Sequence, residues 1–558
     1  MIPLPPTSGK PGYNVLYRSH IRILNNDSLL HIFGHYRLEH ERNWNLRQMW
    51  RTLAHVCQRW RYLIFDSWFH LDMCLLLTMN SPSMDTLSHL PPLSLVIDHS
   101  NRTRAMTRED ENNIRLGLQQ HGRVRRVALE APSLNLCTLL EPMNGLFPRL
   151  RDLSLLSIIV EEMDPMLPAT LQAPDLRRLS LHGVGLPKGL PLLSSTIALS
   201  TLSLTDIPAS CYFPPIHLIT QLQTLPHLEE LSIGFAIPIP LPSSERELLP
   251  SPTAPVTLPT LRQLTFRGVD VYLDNFVAQI NTPLLEQLSL TLFFDLTFTL
   301  ANLIGFIHRT EGFECLVAQI NFKRTGPSID VGHYEQRGFG KLNLHVNCEP
   351  LDWQVDSVAQ VCNALGKIIS TVEELTIDLF THQMPLDWQN TLDNMVWHEL
   401  LLPFIGVKKL HIQPSLTLEL SQALGSVSGG MVLEILPELQ ELEAELREVR
   451  AIKAFSVFVK TRELVGRPVH VPGLDAELER LNAEPRVRDR EPPSTQVQDQ
   501  LYSRQDPMFY HPDSLSDSAL RQLGLPITKS TSAIERQRSP LSEFLLFDTG
   551  VFAVNIPT

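Results

Sequence analysis

"LQAPDLRRLSLHGV", residues 171–184, places leucine, two residues, leucine, one residue and leucine directly behind a proline-bearing turn. The phrase returns along the chain. It stands as "VRRVAL" at 124, "LRDLSL" at 150, "LSTLSL" at 199, "LEELSI" at 228, "LRQLTF" at 261 and "LEQLSL" at 285. Weaker copies follow as "FECLVA" at 313, "FGKLNL" at 339, "VEELTI" at 372, "VKKLHI" at 407 and "LQELEA" at 439. Starts are 23 to 35 residues apart, and many copies follow a proline, as in "FPRL", "APDL", "LPHL" and "LPTL". Proline ends the preceding helix or loop and launches a strand. A short strand with one apolar edge cannot bury that edge alone, so successive copies must stack into a solenoid.

The intervening positions of each strand then face the other way, onto a concave wall. Asp152, Arg178, Glu230, Gln263, Gln287, Glu374 and Lys409 are the candidate target-binding residues of that wall, accompanied by Ser154, Ser180, Ser232, Thr265, Ser289, Thr376 and His411. The set is polar and mixed in sign, with no group suited to proton transfer, as expected of a protein- or peptide-recognition surface.

Composition agrees. The chain has 558 residues, 43% apolar and 19% charged, with a formal net charge of −13. An acidic balance argues against a general polyanion binder, which needs clustered Lys and Arg. Seven cysteines (57, 74, 137, 211, 315, 348 and 362) are scattered without a C-x-x-C pair, the pattern of reduced, buried thiols in an intracellular protein. The first 20 residues lack the apolar core of a signal peptide. "LSLTLFFDLTFTLANLIGFIH", residues 288–308, is long enough to span a bilayer, but Asp295 interrupts it and Leu288, Leu290 and Leu292 alternate with polar residues. That alternation reads as a buried strand followed by a core helix.

Ahead of the repeats, "NNDSLLHIFGHY" (25–36) offers Asn26 or Asp27 as a helix cap, then an apolar stripe through Leu29, Ile32, Phe33 and Tyr36. Leu46, Met49, Trp50, Leu53, Cys57, Trp60 and Ile64 recur at steps of three and four, the pattern of one amphipathic helix of about five turns. Cys57 and Trp60 then share its apolar stripe, and Cys57 reads as a small buried hydrophobe. Forty-odd residues bury too little surface to stand alone, so part of the stripe serves as a binding surface.

"LNNDSLLHIF" (24–33) followed by "LAHVCQRWRYLIF" (53–65) resembles the F-box, with Leu24, Leu29, Ile32, Phe33, Val56, Cys57, Trp60 and Arg61 at motif positions and Asn25 where the family usually carries proline. The closest likeness is to the large fungal F-box families with irregular leucine-rich repeats. The resemblance implies an adaptor-binding unit in which Leu24, Leu29, Ile32, Phe33, Val56, Cys57 and Trp60 meet a Skp-family adaptor and, through it, a cullin. The chain would then be the substrate-recognition subunit of a Skp-cullin-F-box ubiquitin ligase, cytoplasmic or nuclear, the repeats holding an unknown target protein. The alternative is a leucine-rich-repeat scaffold with a degenerate F-box that engages no ligase.

The expected organisation is an α/β (α+β) solenoid. Residues 1–20 form a flexible start, 21–66 the F-box-like helical unit, 67–92 a linker and 93–471 the irregular leucine-rich-repeat horseshoe. Residues 472–558 form a mostly disordered tail, with a possible short helix at 513–523 and a phosphorylatable Ser539 in "RQRSP". Catalytic signals are weak. His31 and His35 lack the Glu and third ligand of a zinc motif, "HGVGLPKG" (182–189) is a repeat turn with the wrong glycine spacing for a dinucleotide loop, and Val427 takes the nucleophile's place in "GSVSGG". The expectation is a non-enzyme without cofactor or metal, binding neither nucleic acid nor membrane.

Overall fold

The computed structural model describes residues 24–39, 50–67, 74–77, 93–100, 106–158, 164–189, 191–236, 255–293, 300–310, 315–332, 342–348, 351–379, 394–426 and 434–483. All lie in the first of the two units into which the chain divides, Met1–Pro485 and Arg486–Thr558. The expected helix at 513–523 and Ser539 fall outside the described residues.

The fold is mixed α/β, built on one 15-stranded, mostly parallel sheet. In chain order the strands are β1 (Cys74–Leu77), β2 (Ser94–His99), β3 (Val124–Pro132), β4 (Asp152–Ile158), β5 (Arg178–His182), β6 (Thr201–Ile207) and β7 (Glu230–Phe235). Then come β8 (Val256–Thr257), β9 (Gln263–Gly268), β10 (Ile280–Asn281), β11 (Gln287–Phe293), β12 (Val317–Phe322), β13 (Ser328–Gly332), β14 (Leu342–Asn347), β15 (Glu374–Leu379), β16 (Lys409–Ile412) and β17 (Glu441–Ala444). The short β8 and β10 pair only with each other.

The repeated phrase sets the register. Leu153 lies opposite Leu179, then Leu202, Leu231, Leu264 and Leu288, each at the phrase's fourth position. The first-position leucines, Leu150, Leu176, Leu199, Leu228, Leu261 and Leu285, lie in the turns and are buried. Each buried leucine contributes roughly 1.5–3 kcal/mol. The turns interlock through the second position: Arg177 N donates to Arg151 O, Ser200 N to Arg177 O, Glu229 N to Ser200 O and Arg262 N to Glu229 O, all at 2.8 Å. One hydrogen-bonded strip of turns therefore runs along the edge of the sheet.

Three strands break the monotony. The sheet order reads β11-β14-β13-β12-β15, with β13 antiparallel to both neighbours. The chain skips two places after β11, returns through a tight hairpin and resumes beside β12. The expected copy at 313 is out of phase as a result. Val317 lies opposite Glu374 and Ala318 opposite Leu375, so the copy in register is "CLVAQI" (315–320), two residues later, with buried Cys315 in the first-leucine place. Gly326 makes the hairpin. Its φ is +135°, and a Cβ there would sit 1.9 Å from the Val346 carbonyl oxygen.

The stretch 288–308 divides into β11 and a helix at Ala301–Arg309 that buries Leu303, Phe306 and Ile307. Asp274 anchors the helix start, accepting from Asn302 N and Leu303 N at 3.0 Å. No described helix is long and apolar enough to cross a membrane. The segment expected as linker, 67–92, contains β1, whose Leu75 and Leu77 are buried in the common core. At the far edge the described chain continues past 472 into a helix, Leu474–Ala483, where a tail was expected. His470 meets that edge, its N–H donating to Gln440 O at 2.8 Å and its carbonyl accepting from Leu442 N at 2.9 Å. Buried Arg462, on the helix Val449–Leu464, donates through Nη2 to Pro437 O at 3.1 Å.

The N-terminal helices are α1 (Asn26–Glu39), α2 (Trp50–Val56) and α3 (Gln58–Asp66). The expected five-turn helix is two helices, because Cys57 takes an extended conformation (φ −161°, ψ 169°) and caps α3 with its Sγ, 3.5 Å from Trp60 N. The break resets the helical phase, so Cys57 leaves the apolar stripe, and both it and Val56 are exposed. The cap of α1 is Asn25, one residue earlier than expected: its Oδ1 accepts from Ser28 N at 2.7 Å.

Candidate functional site

Because side chains alternate along a strand, burying the fourth- and sixth-position residues pushes the third and fifth onto the opposite face. The third positions form a line. Asp152 lies opposite Arg178, Arg178 opposite Thr201, Thr201 opposite Glu230, Glu230 opposite Gln263, and Gln263 opposite Gln287. The line resumes beyond the hairpin with Glu374, Lys409 and Glu441. All seven expected target-binding residues thus occupy one face in two groups, separated by the three hairpin strands. Six hydroxyls run alongside the first group on consecutive strands: Ser154, Ser180, Ser203, Ser232, Thr265 and Ser289. Arg178 is bound to Asp152 at 2.7 Å, and Lys409 to Glu443 at 2.8 Å. Both pairs are solvent-exposed and contribute little to stability.

A cluster at the C-terminal ends of β5, β6 and β9 escaped the sequence reading. Asp206 sits in a register break of β6 with φ +48°, a conformation unusual for a residue other than glycine. The bulge aims its carboxylate sideways. His182 Nε2 donates to Oδ2 at 2.9 Å and Arg267 Nη1 to Oδ1 at 2.7 Å. Arg267 crosses β7 at Gly234, where a Cβ would lie 3.4 Å from its own Cβ, and its guanidinium stands 5.3 Å from the Phe293 ring centre. Burial pushes the Asp206 carboxyl up, but the His182 hydrogen bond and the charges of His182 and Arg267 outweigh it and hold the carboxyl below its ordinary range. The one available signal was "SLTDIP" (203–208), where strand alternation fails ahead of a proline.

The hairpin strands bring a second polar group onto the same face. Asn343, Asp330 and Gln319 lie opposite one another on β14, β13 and β12, between Ser289 on β11 and Thr376 on β15. The repeat pattern marks only Asn343, the fifth position of "FGKLNL" at 339; "SIDVG" (328–332) lacks the leucine phrase. The G-P turn at 326–327 ahead of that alternating stretch was the available clue.

The N-terminal helices present a different surface. Leu29 and Phe33 are 1% and 3% exposed and form the unit's interior with Ala54, Leu63 and Ile64. Phe33 meets Trp60 edge-to-face at 4.8 Å between ring centres, leaving Trp60 half-buried, as is Leu24. Leu29 and Phe33 therefore offer no surface to a partner, contrary to the direct contact expected of them. Ile32 (47%), Val56 (56%) and Tyr62 (80%) are exposed, together with Cys57. Arg59 joins α3 to the start of α1, donating from Nη2 to Leu24 O at 2.6 Å and to Asn26 Oδ1 at 2.9 Å.

His31 and His35 are exposed, and among the described residues no three His, Cys, Asp or Glu side chains are grouped to hold a metal ion. Burial pushes the Cys348 thiol up to about 11 and the Cys362 thiol higher still, so neither supplies a thiolate near neutral pH. The geometry suits binding: a broad hydrogen-bonding face, and a small helical unit with apolar side chains turned outward. The chain matches no protein-family model, and comparison with curated proteins found no match.

Proposed function

We propose that this chain is the substrate-recognition subunit of a Skp-cullin-F-box ubiquitin ligase, its helical unit docking on the adaptor and its leucine-rich-repeat face holding a target. The observation that carries the reading is the N-terminal surface. The "LNNDSLLHIF…LAHVCQRWRYLIF" motif folds with its own interior, and Ile32, Val56 and Tyr62 remain exposed beside it. Desolvating such side chains at the centre of an interface is the usual source of docking energy. Catalysis belongs to the partners, while this chain raises the local concentration of target at the ubiquitin-charged enzyme. The broad polar face of mixed sign supports the receptor role.

A second reading, a leucine-rich-repeat scaffold that engages no ligase, draws on Asn25 at the usual proline position. Asn25 nevertheless caps α1, so the helix start is preserved by different chemistry. Proximity labelling in cells, with and without proteasome inhibition, separates the two. The ligase reading expects labelled adaptor and cullin, plus proteins that accumulate only when the proteasome is blocked. Labelling that lacks adaptor and cullin and ignores the inhibitor leaves the scaffold.

A further inference from the structure

Asp330 stands near the middle of the polar face, partly desolvated and without an ion pair among the described residues. Its oxygens are held from within the sheet. Asn343 Nδ2 donates to Oδ1, and Asn321 Nδ2 to Oδ2 at 3.4 Å. Asn321 is 95% buried, and its own Oδ1 accepts from Gln319 Nε2 at 2.9 Å. An ionised carboxylate has about four lone-pair directions, so two amide donors leave acceptor capacity unused. Burial pushes the Asp330 carboxyl up; the Asn343 hydrogen bond, the charge of Lys323 and the Asn321 hydrogen bond only partly offset it. Desolvating a carboxylate without pairing it is costly, which makes such a group a candidate binding site.

The surroundings select the ligand's charge. Outward positions of β11, β14, β13, β12 and β15 include Ser289, Thr291, Asn343, His345, Gln319 and Thr376, all neutral or weakly basic, with Glu374 and Asp378 adding negative charge. Positive charge comes from Lys323, just beyond the end of β12, and from Arg267 on β9; burial first, then these two charges, lower the His345 pKa. We propose that Asp330, preset by Asn343 and Asn321, is the anchor for an arginine or lysine side chain of a protein segment bound across β11–β15. An arginine fork suits it best, because two parallel N–H groups match the free carboxylate edge. This site rests on the reading of the polar face as the target-binding surface, but not on adaptor docking.

The test is selection from a random 12-residue peptide display library with the full chain. Wild type is expected to enrich peptides with Arg or Lys at one fixed position, and Asp330→Asn to lose that bias. A selected peptide should bind the variant at least about 30-fold more weakly. The amide chain Gln319–Asn321 can invert to meet the new NH2, so the variant should keep the wild-type melting temperature. A second readout needs no variant: affinity of wild type for the peptide should rise with pH as the elevated Asp330 carboxyl ionises. Selection without basic bias, no enrichment at all, equal binding by the variant, or pH-independent affinity each overturns the proposal. Failure of the ligase reading would show separately, as absent adaptor and cullin labelling with peptide selection intact.

Discussion

At the scale of single residues, Cys57 and Asp206 carry the most unexpected chemistry. Cys57 is a helix cap with a weak sulfur acceptor. Serine is a much better cap, so Cys57→Ser should raise the stability of the helical unit by roughly 0.5–1 kcal/mol in chemical denaturation. A buried hydrophobic cysteine would give the opposite sign. Asp206 can be tested by charge alone, because asparagine tolerates the same positive φ. Its folded carboxyl titrates below the unfolded one, so its pairing stabilises above the ordinary aspartate range, about pH 4, and is lost as pH falls through the folded value. Asp206→Asn should therefore melt earlier than wild type at pH 7, and the gap should close on acidification. Neither role was legible in the sequence. Apolar steps of three and four run unbroken through Cys57, with no Gly or Pro to mark the break, and the Asp206 bulge shows only as failed alternation in "SLTDIP".

At the scale of elements, the repeated strands were legible because one physical demand repeats: a buried leucine row must stay in register with its neighbours. The β12–β14 hairpin was not, since the reversed strand obeys no leucine phrase and one weak copy slid by two residues. Its formation depends on the Gly326 turn. Gly326→Ala should cost at least about 3 kcal/mol, because φ and the Val346 carbonyl both forbid a side chain. The loss should be local. Hydrogen exchange would quicken in β12–β14 while β4–β7 keep their protection, as expected where each strand leans mainly on its neighbours. Uniform loss of protection across the sheet would show a more cooperative core than this topology implies.

At the scale of the whole molecule, the sheet edges and the N-terminal helices divide the labour. Strand β17 meets His470 and the helices beyond it, while at the other edge β1 shares a core with α1–α3. A large polar face is thereby joined to a small helical unit that carries exposed apolar side chains. The expected face residues share one side of the sheet, in two groups split by the hairpin strands. Of the expected docking residues, Leu29 and Phe33 turned inward, because three short helices need an interior of their own before they can present a surface. Calorimetric titration of a purified Skp-family adaptor into the full chain tests the central claim directly. A one-to-one complex with Kd below about 1 μM is expected, weakened at least about 30-fold by Ile32→Arg and by Val56→Arg with unchanged melting temperature. No binding at roughly 50 μM, or binding indifferent to both substitutions, would contradict it.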